Sequence, residues 1–216
     1  MRTISQAVEE IIGRSPFYME AIAEGIANNA QIARKIKPDV EKRLYEEVSE
    51  AAIAMALHRM AKNIQRPQYG ARFLKRVSDI TVRSNLVEFS LPHSSDILPT
   101  FEAVAKSAEL RKELFFNLSI GLYEIIVIAN VELVADIEKA LGRIIGVRKT
   151  ENLSAITMRL PEESLSVPGV YYPILRAIAL EGISFVEVMS VRTEFSILFD
   201  NKDVDRAFSV IKRITS

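Results

Sequence analysis

The sequence predicts an α+β chain in which a helical N-terminal part precedes two consecutive copies of a β-α-β-β-α unit. Three observations predict it. From Asn152 to Ile214 an apolar strand, a helix-period stretch, two runs rich in β-branched and aromatic residues and a second amphipathic helix follow one another. The same order occurs once before: with a shift of 70 residues Glu124–Ile144 lies without a gap on Glu194–Ile214, and Glu124, Val134, Arg143 and Ile144 recur identically. Residues 1–66 show apolar spacings of three and four with cap signals, and no strand-like alternation. Each β-α-β-β-α unit would pack both helices on one face of an antiparallel sheet, the ferredoxin-like βαββαβ arrangement.

The second copy is the clearest. Leu153, Ala155, Ile156 and Met158 mark its first strand, and Val167–Gly169 its first loop. Val170, Ile174, Ala177 and Ile178 share one face of a helix that stops at Gly182. Ile183–Ser190 and Thr193–Phe199 read as strands joined through Val191 and Arg192. Asn201–Asp203 start a last helix with Val204, Ala207, Phe208 and Ile211 as its stripe. With a 67-residue shift, Asn85-Leu86 lies on Asn152-Leu153, so the copies differ by three residues in the first loop.

Helix, Gly182-Ile183, strand, a short turn at Arg192-Thr193-Glu194, strand and an acidic start to a second helix resemble the ACT domain, most of all the tandem ACT regulatory region of aspartokinases. The resemblance covers about Asp79–Ser216, with a first ACT-like domain at 79–150 and a second at 151–216. It implies amino-acid sensing without catalysis, and a homodimer or higher homo-oligomer assembled through the ACT sheets. An effector would sit between the first loop of one domain and a strand of its neighbour. The matching positions here are Leu165, Ser166, Val167, Pro168, Gly169 and Val170, with Ser184 where effector-binding members commonly carry Asn after Gly-Ile. Gly169 would let a ligand approach the backbone, and the helix starting there would point free N–H groups at an effector carboxylate. The equivalent loop of the first copy, Pro92–Thr100, has no glycine.

In chain order, Thr3 or Ser5 caps a helix carrying Ile4, Ala7, Val8, Ile11 and Ile12, ended by Gly13. Ser15-Pro16 starts a second, with Phe17, Met19, Ile22 and Ile26 on one side. Asn28-Asn29 breaks the chain, Ala30–Ile36 forms a short third helix, and Lys37-Pro38-Asp39 starts another that runs to about Tyr45. Ser49 caps the longest, which continues to about Ile64 and is apolar almost all round from Ala51 to Leu57. Short helices ending in a longer one predict a helix-turn-helix or winged-helix-like domain over residues 1–66.

Residues 67–78 read as a basic connector. Arg59, Lys62, Arg66, Arg72, Lys75 and Arg76 occur with no acidic residue from His58 to Val77, a set suited to phosphate contact, to a solvated linker, or to docking on an acidic protein. From Asp79 to Leu91 the alternation changes phase, which places a bulge at Ser84-Asn85. A helix over about Leu98–Arg111, strands near Glu113–Ile120 and Tyr123–Ala129, and a helix over Val131–Leu141 follow, with Arg143–Lys149 as fourth strand. The second copy lacks that last strand: its sheet stays short, or borrows one, and an open edge favours pairing with another subunit.

The chain has 216 residues and zero formal net charge, which argues against a uniformly nucleic-acid-coating protein. With no cysteine it has no disulfide framework or thiolate site, and His58 and His93 stand in no metal-ligand spacing. Glu9-Glu10 and Glu46-Glu47 are adjacent pairs that diverge on a helix, and no phosphate-cradling or nucleophile-elbow motif occurs. No cofactor and no catalytic activity are expected. Neither a signal peptide nor a membrane helix is indicated, so a cytoplasmic location is expected. The resemblance to ACT domains, with the helical domain before them and the basic stretch between, implies a non-catalytic, ligand-sensing regulator binding an amino acid and acting as a transcriptional regulator of amino-acid metabolism through DNA contacts. The rival reading is an oligomerising regulatory subunit whose helical domain binds a protein partner without a small-molecule ligand.

Overall fold

Helix α1 (Ile4–Gly13) begins where Thr3 closes a capping box: its Oγ1 accepts the Gln6 N–H at 3.3 Å while Gln6 Oε1 accepts the Thr3 N–H at 2.9 Å. The computed structural model describes residues 2–63, 71–93, 97–110, 114–142 and 144–216, and its contacts divide the chain into two units, Met1–Gln68 and Tyr69–Ser216.

In the first unit α1 is followed by α2 (Pro16–Ala23), α3 (Asn29–Leu44) and α4 (Glu50–Asn63). The short helix expected over Ala30–Ile36 and the separate one after it are a single helix. Asn28 caps it by accepting the N–H groups of Ala30 and Gln31, and Ala33, Ile36 and Val40 form one buried stripe across Pro38. The apolar face continues with helical period, and burying it outweighs the one backbone hydrogen bond that proline removes. Helix α4 is also less enclosed than its composition suggested: Ile53, Ala56 and Leu57 are buried, but Ala51 and Met55 face outward.

The second unit opens with a turn of helix, α5 (Ala71–Leu74), within the stretch read as connector; Leu74 is buried in its core with Val77 against it. Then come β1 (Asp79–Pro92), α6 (Ile97–Leu110), β2 (Phe116–Ile120), β3 (Glu124–Asn130) and α7 (Val134–Leu141), followed by β4 (Arg148–Arg159), α8 (Tyr172–Leu180), β5 (Glu187–Val191), β6 (Glu194–Asp200) and α9 (Val204–Thr215). Among the described residues the strands form one antiparallel sheet in the order β2-β3-β1-β4-β6-β5.

The two copies are therefore fused through their first strands. The fourth strand expected over Arg143–Lys149 does not stand apart: the chain enters the sheet at Arg148 and continues as one strand to Arg159. Residues Arg148–Thr150 pair with β1 as the last strand of the first copy, and Leu153–Arg159 pair with β6 as the first strand of the second. The strand that the second copy lacks comes from this same chain: Asp79–Arg83 of β1 pairs with Ala155–Arg159. Register shifts at Ser84–Val87, with left-handed backbone at Asn85 (φ 58) and at the equivalent Asn152 (φ 60), make this sharing possible. An extra residue reverses the alternation, so Ile80 and Phe89, of opposite parity, both reach the helix-covered face.

On that face Val87, Phe89, Leu91, Ile125 and Val127 pack under α6 and α7, and Ile156, Met158, Phe195, Ile197 and Phe199 under α8 and α9. Among the described residues of this unit, no helix packs on the other face. Leu86, Ile128, Leu153, Ala155 and Leu198 form a smaller cluster there, drawn from both copies.

Pro38→Ala restores a backbone donor inside α3 and should raise the stability of the helical unit by about 1 to 3 kcal/mol. Urea unfolding of the full chain, followed through the helical signal, checks it; an unchanged midpoint would mean that the helix is not continuous through residue 38.

Candidate functional site

The expected effector loop lies where β4 leaves the sheet. Pro161 opens a 3-10 turn over Glu162–Ser166, and Gly169 adopts φ 71, a left-handed conformation that glycine accepts without strain. Leu165, Ser166, Pro168 and Gly169 are exposed, Val167 is half-buried and Val170 is buried under α8. Ser166 Oγ donates to the Glu163 carbonyl at 3.2 Å. Ser184 is exposed after the buried Ile183, ahead of β5. Two ion pairs fix the loop: Arg192 donates to Glu162 Oε1 at 2.7 and 3.0 Å, and Arg76 meets Glu163 at 3.0 Å. Glu163 sits below the ordinary carboxylate range, first because a backbone amide bonds it and then because of Arg76. Tyr171 stacks on Phe195 with ring centres 4.2 Å apart, and its hydroxyl meets Ser190 Oγ at 2.9 Å.

One expectation about this loop changes. Helix α8 begins at Tyr172, not beside Gly169; the Tyr172 N–H is spent on the Gly169 carbonyl and the Leu175 N–H on the Tyr171 carbonyl, while Pro173 has none. The first turn therefore offers fewer free N–H groups than its sequence suggested. A polar group that the sequence reading passed over lies inside the loop: the Ser164 hydroxyl is buried with no hydrogen-bond partner among the described residues. The first-copy loop falls partly on Ser94–Asp96, outside the described residues.

The helix-free face holds two cavities that the sequence reading did not anticipate. One, of about 340 Å³, is lined by Asp79, Thr81 and Arg83 of β1, Thr157 and Arg159 of β4, Glu194 and Ser196 of β6, and Leu114–Phe116. Asp79, Arg159 and Glu194 are register partners across three strands, so carboxylate, guanidinium and carboxylate stand in a row. Beside them Thr157 Oγ1 and Ser196 Oγ share a 2.8 Å hydrogen bond. The cavity thus carries both signs of charge and hydroxyls against an apolar wall. The other, of about 240 Å³, lies between edge strands β2 and β5 and is lined by Asn117, Ser119, Ile126, Ile128 and Glu187–Val191. Glu88 lies next to its floor, since it is the register partner of Ile128. Its residue is 8% exposed and its Oε2 has no partner among the described residues.

The basic residues proposed for phosphate contact are scattered in role. Arg59 donates to Ser5 Oγ at 3.1 Å and Arg76 pairs with Glu163, whereas Lys62 and Lys75 are exposed. Arg66 and the side chain of Arg72 lie outside the described residues. Among the described residues no group of three or more His, Cys, Asp or Glu side chains is placed to hold a metal, and no helix is long and apolar enough to cross a membrane.

No protein-family model matches the sequence. No curated protein matches it either. Solved structures similar to it in fold include the aspartate kinase of Clostridium acetobutylicum, described as an allosteric enzyme, at 10% identity and TM-score 0.53 over 65% of this chain and 35% of that one. Another is the ligand-free regulatory subunit of aspartate kinase from Thermus thermophilus, at 12% identity and TM-score 0.50, covering 65% of this chain and 99% of that subunit. The aspartokinase alpha and beta subunits give 15% identity and TM-score 0.51 over 67% and 99%. The chain thus spans about a third of the Clostridium enzyme but the whole of a regulatory subunit. At these identities the likeness is one of fold: an antiparallel sheet with helices, of the aspartokinase regulatory type.

Burial holds Glu88 above its ordinary carboxylate range; the charge of Glu187 adds to this and Arg148 opposes it. A carboxyl raised in the folded state contributes stability that is full below its unfolded-state value and lost as pH rises through the raised one. Glu88→Gln should therefore raise the urea midpoint at pH 8 and have much less effect near pH 4. An equal effect at both pH values would contradict a buried, titrating Glu88.

Proposed function

We propose that this protein is a non-catalytic, ligand-sensing regulator that binds an amino acid through tandem ACT-like domains, the two copies that share its sheet. The observation that carries this reading is the mixed-charge cavity at the end of β4. Its lining balances Asp79 and Glu194 against Arg83 and Arg159, and hydroxyls and an apolar wall lie close by. Such a lining suits a molecule that is itself a dipole, with a carboxylate for Arg159 and an ammonium for a flanking carboxylate. The loop Leu165–Val170 with Ser184 is the second place where an effector would be held, and the left-handed Gly169 and the unpartnered Ser164 hydroxyl support it. The fold it shares with aspartokinase regulatory subunits is consistent with this role.

The output is assigned to the helical unit, read as helix-turn-helix-like. An effector that binds one arrangement of a homodimer better than another shifts the population, and with it the contacts made by α4 and the basic residues Arg59, Lys62, Arg66, Arg72, Lys75 and Arg76 on DNA. A second reading has its own support. Edge strand β5 and the residues leading into it expose Phe185, Val186, Val188 and Val191, and the β2–β3 turn exposes Leu122 and Tyr123. Apolar edges of this kind favour an oligomerising subunit whose helical unit binds a protein.

Thermal shift with each of the twenty amino acids tests the first reading. A ligand at about 100 times its Kd adds about 2.7 kcal/mol, a rise of roughly 5 to 10 °C for a chain of this size. Arg159→Met should abolish the shift if the cavity holds the effector, and Gly169→Trp if the loop does; no shift with any amino acid leaves the oligomerising subunit. Retention on duplex DNA separates the outputs: phosphate contact requires affinity to fall steeply with salt, and a log–log slope near zero would remove it.

A further inference from the structure

Strands β2 and β5 are the two edges of the sheet among the described residues, yet both line one cavity, so the curl of the sheet brings its open edges to face each other. Natural edges are commonly blunted by lysine, proline or a bulge. Neither of these is: β2 reads Phe116-Asn117-Leu118-Ser119-Ile120, β5 reads Glu187-Val188-Met189-Ser190-Val191, and each keeps an unbroken register with its neighbour. Val188 and Val191 are exposed besides. An unprotected apolar edge is a template for another strand.

The two walls of the cavity differ in kind. Every residue of β5 lines it. Glu187, Met189 and Val191 lie on the helix-free face, as register partners of Leu198, Ser196 and Glu194, whereas Val188 and Ser190 lie on the other face, opposite Ile197 and Phe195. Residues of both parities border one cavity only where it runs along the strand's edge, and there β5 presents the main-chain N–H and C=O groups that β6 does not use. Opposite, β2 contributes alternate residues, Asn117 and Ser119, beside a floor formed by their register partners Ile128 and Ile126. Ser119 Oγ donates to Asn117 Oδ1 at 2.9 Å, which leaves the Asn117 amide nitrogen for an occupant. Of the lining residues only Glu187 is charged.

We propose that this cavity receives an extended segment of another protein, which pairs with β5 as an added strand and carries apolar residues at alternate positions and a lysine or arginine opposite Glu187. What each wall offers fixes the occupant. A strand edge demands repeated donors and acceptors, which a peptide main chain has and a small metabolite lacks. The length follows from β5, whose 5 residues span ~17 Å. Apolar side chains on the inner face of the segment cover Ile126, Ile128 and Met189, and its far edge meets Asn117. Glu187 selects a basic neighbour across the strand pair. The edge of a second folded copy does not fit, because an edge strand brings its own neighbour about 4.8 Å behind it, on the side where β2 already stands. The cavity is separate from the loop at Gly169 and from the mixed-charge cavity, so the inference does not depend on amino-acid binding.

The test titrates the full chain at pH 7.5 with two acetylated and amidated pentapeptides, Val-Thr-Val-Thr-Lys and Lys-Thr-Val-Thr-Val, which set lysine opposite Glu187 in antiparallel and in parallel pairing. One of them should bind saturably and slow amide hydrogen exchange within Glu187–Val191 at least tenfold. Its fully N-methylated form, which cannot donate to β5, should not bind. Glu187→Lys should weaken binding at least tenfold, and replacing the lysine of the peptide by glutamate should restore it, which also shows that the variant is folded. Absence of saturable binding by either peptide, equal binding of the N-methylated form, or an affinity indifferent to Glu187→Lys would overturn the proposal. Sedimentation at the same concentrations reports the rival: a homo-oligomer that Glu187→Lys dissociates, with no peptide bound, would mean that a second copy covers β5. The thermal-shift panel tests the amino-acid reading separately, so the two can fail independently.

Discussion

The sharing of two strands between two copies is the constraint on which the sheet unit depends. β1 and β4 each serve both copies, so neither copy has a complete sheet without the other. The device is a single residue inserted in each strand, at Asn85 and Asn152, where a left-handed backbone lets the pleat reverse its phase. Asparagine tolerates that conformation better than a β-branched residue, whose Cβ would meet the following carbonyl. The Ser154 hydroxyl meets Ser84 Oγ at 2.9 Å and so pins the two irregular segments together. Without the phase change, Ile80 or Phe89 would face away from the helices, and one of the two larger apolar cores could not form.

Among the described residues, helices α6 to α9 of this unit lie on one side of the sheet, and the other side is a different chemical environment. There the strands bring together a small apolar cluster, a row of alternating charges at one end and a buried carboxyl near the middle. A sheet face that only had to meet water would have no reason to bury Glu88 beside Ile128 and Leu86, because burying an unpaired carboxyl costs free energy. The mixed-charge cavity at the end of β4 carries both signs of charge. An amino acid would suit the mixed-charge end.

Much of this was legible along the chain. The duplication, most of the helices of the sheet unit, the bulge at Ser84-Asn85 and the missing strand follow from apolar periodicity and from the 70- and 67-residue shifts, which are local properties. Where the reading failed locally, a tertiary term outweighed a local one: Pro38 looks like a helix start, but Ala33, Ile36 and Val40 bury a stripe that passes through it. Likewise Pro173 and the turn at Tyr171 delay α8, which shortens the set of free N–H groups expected near Gly169. The loop at Val167–Gly169 was found because glycine and proline mark a loop in any context, and the resemblance to ACT domains extended it to Leu165–Val170.

Order, period and repeat settle which residues form strands and helices, because each of those depends on neighbours within a few positions. Which strands become partners does not: the last strand of the second copy lies more than 100 residues before that copy ends, and nothing near Ser216 points to Asp79. The same is true of Glu88 and Glu187, which are 99 residues apart and unremarkable in composition. Only the completed sheet buries Glu88 and sets the charge of Glu187 against it.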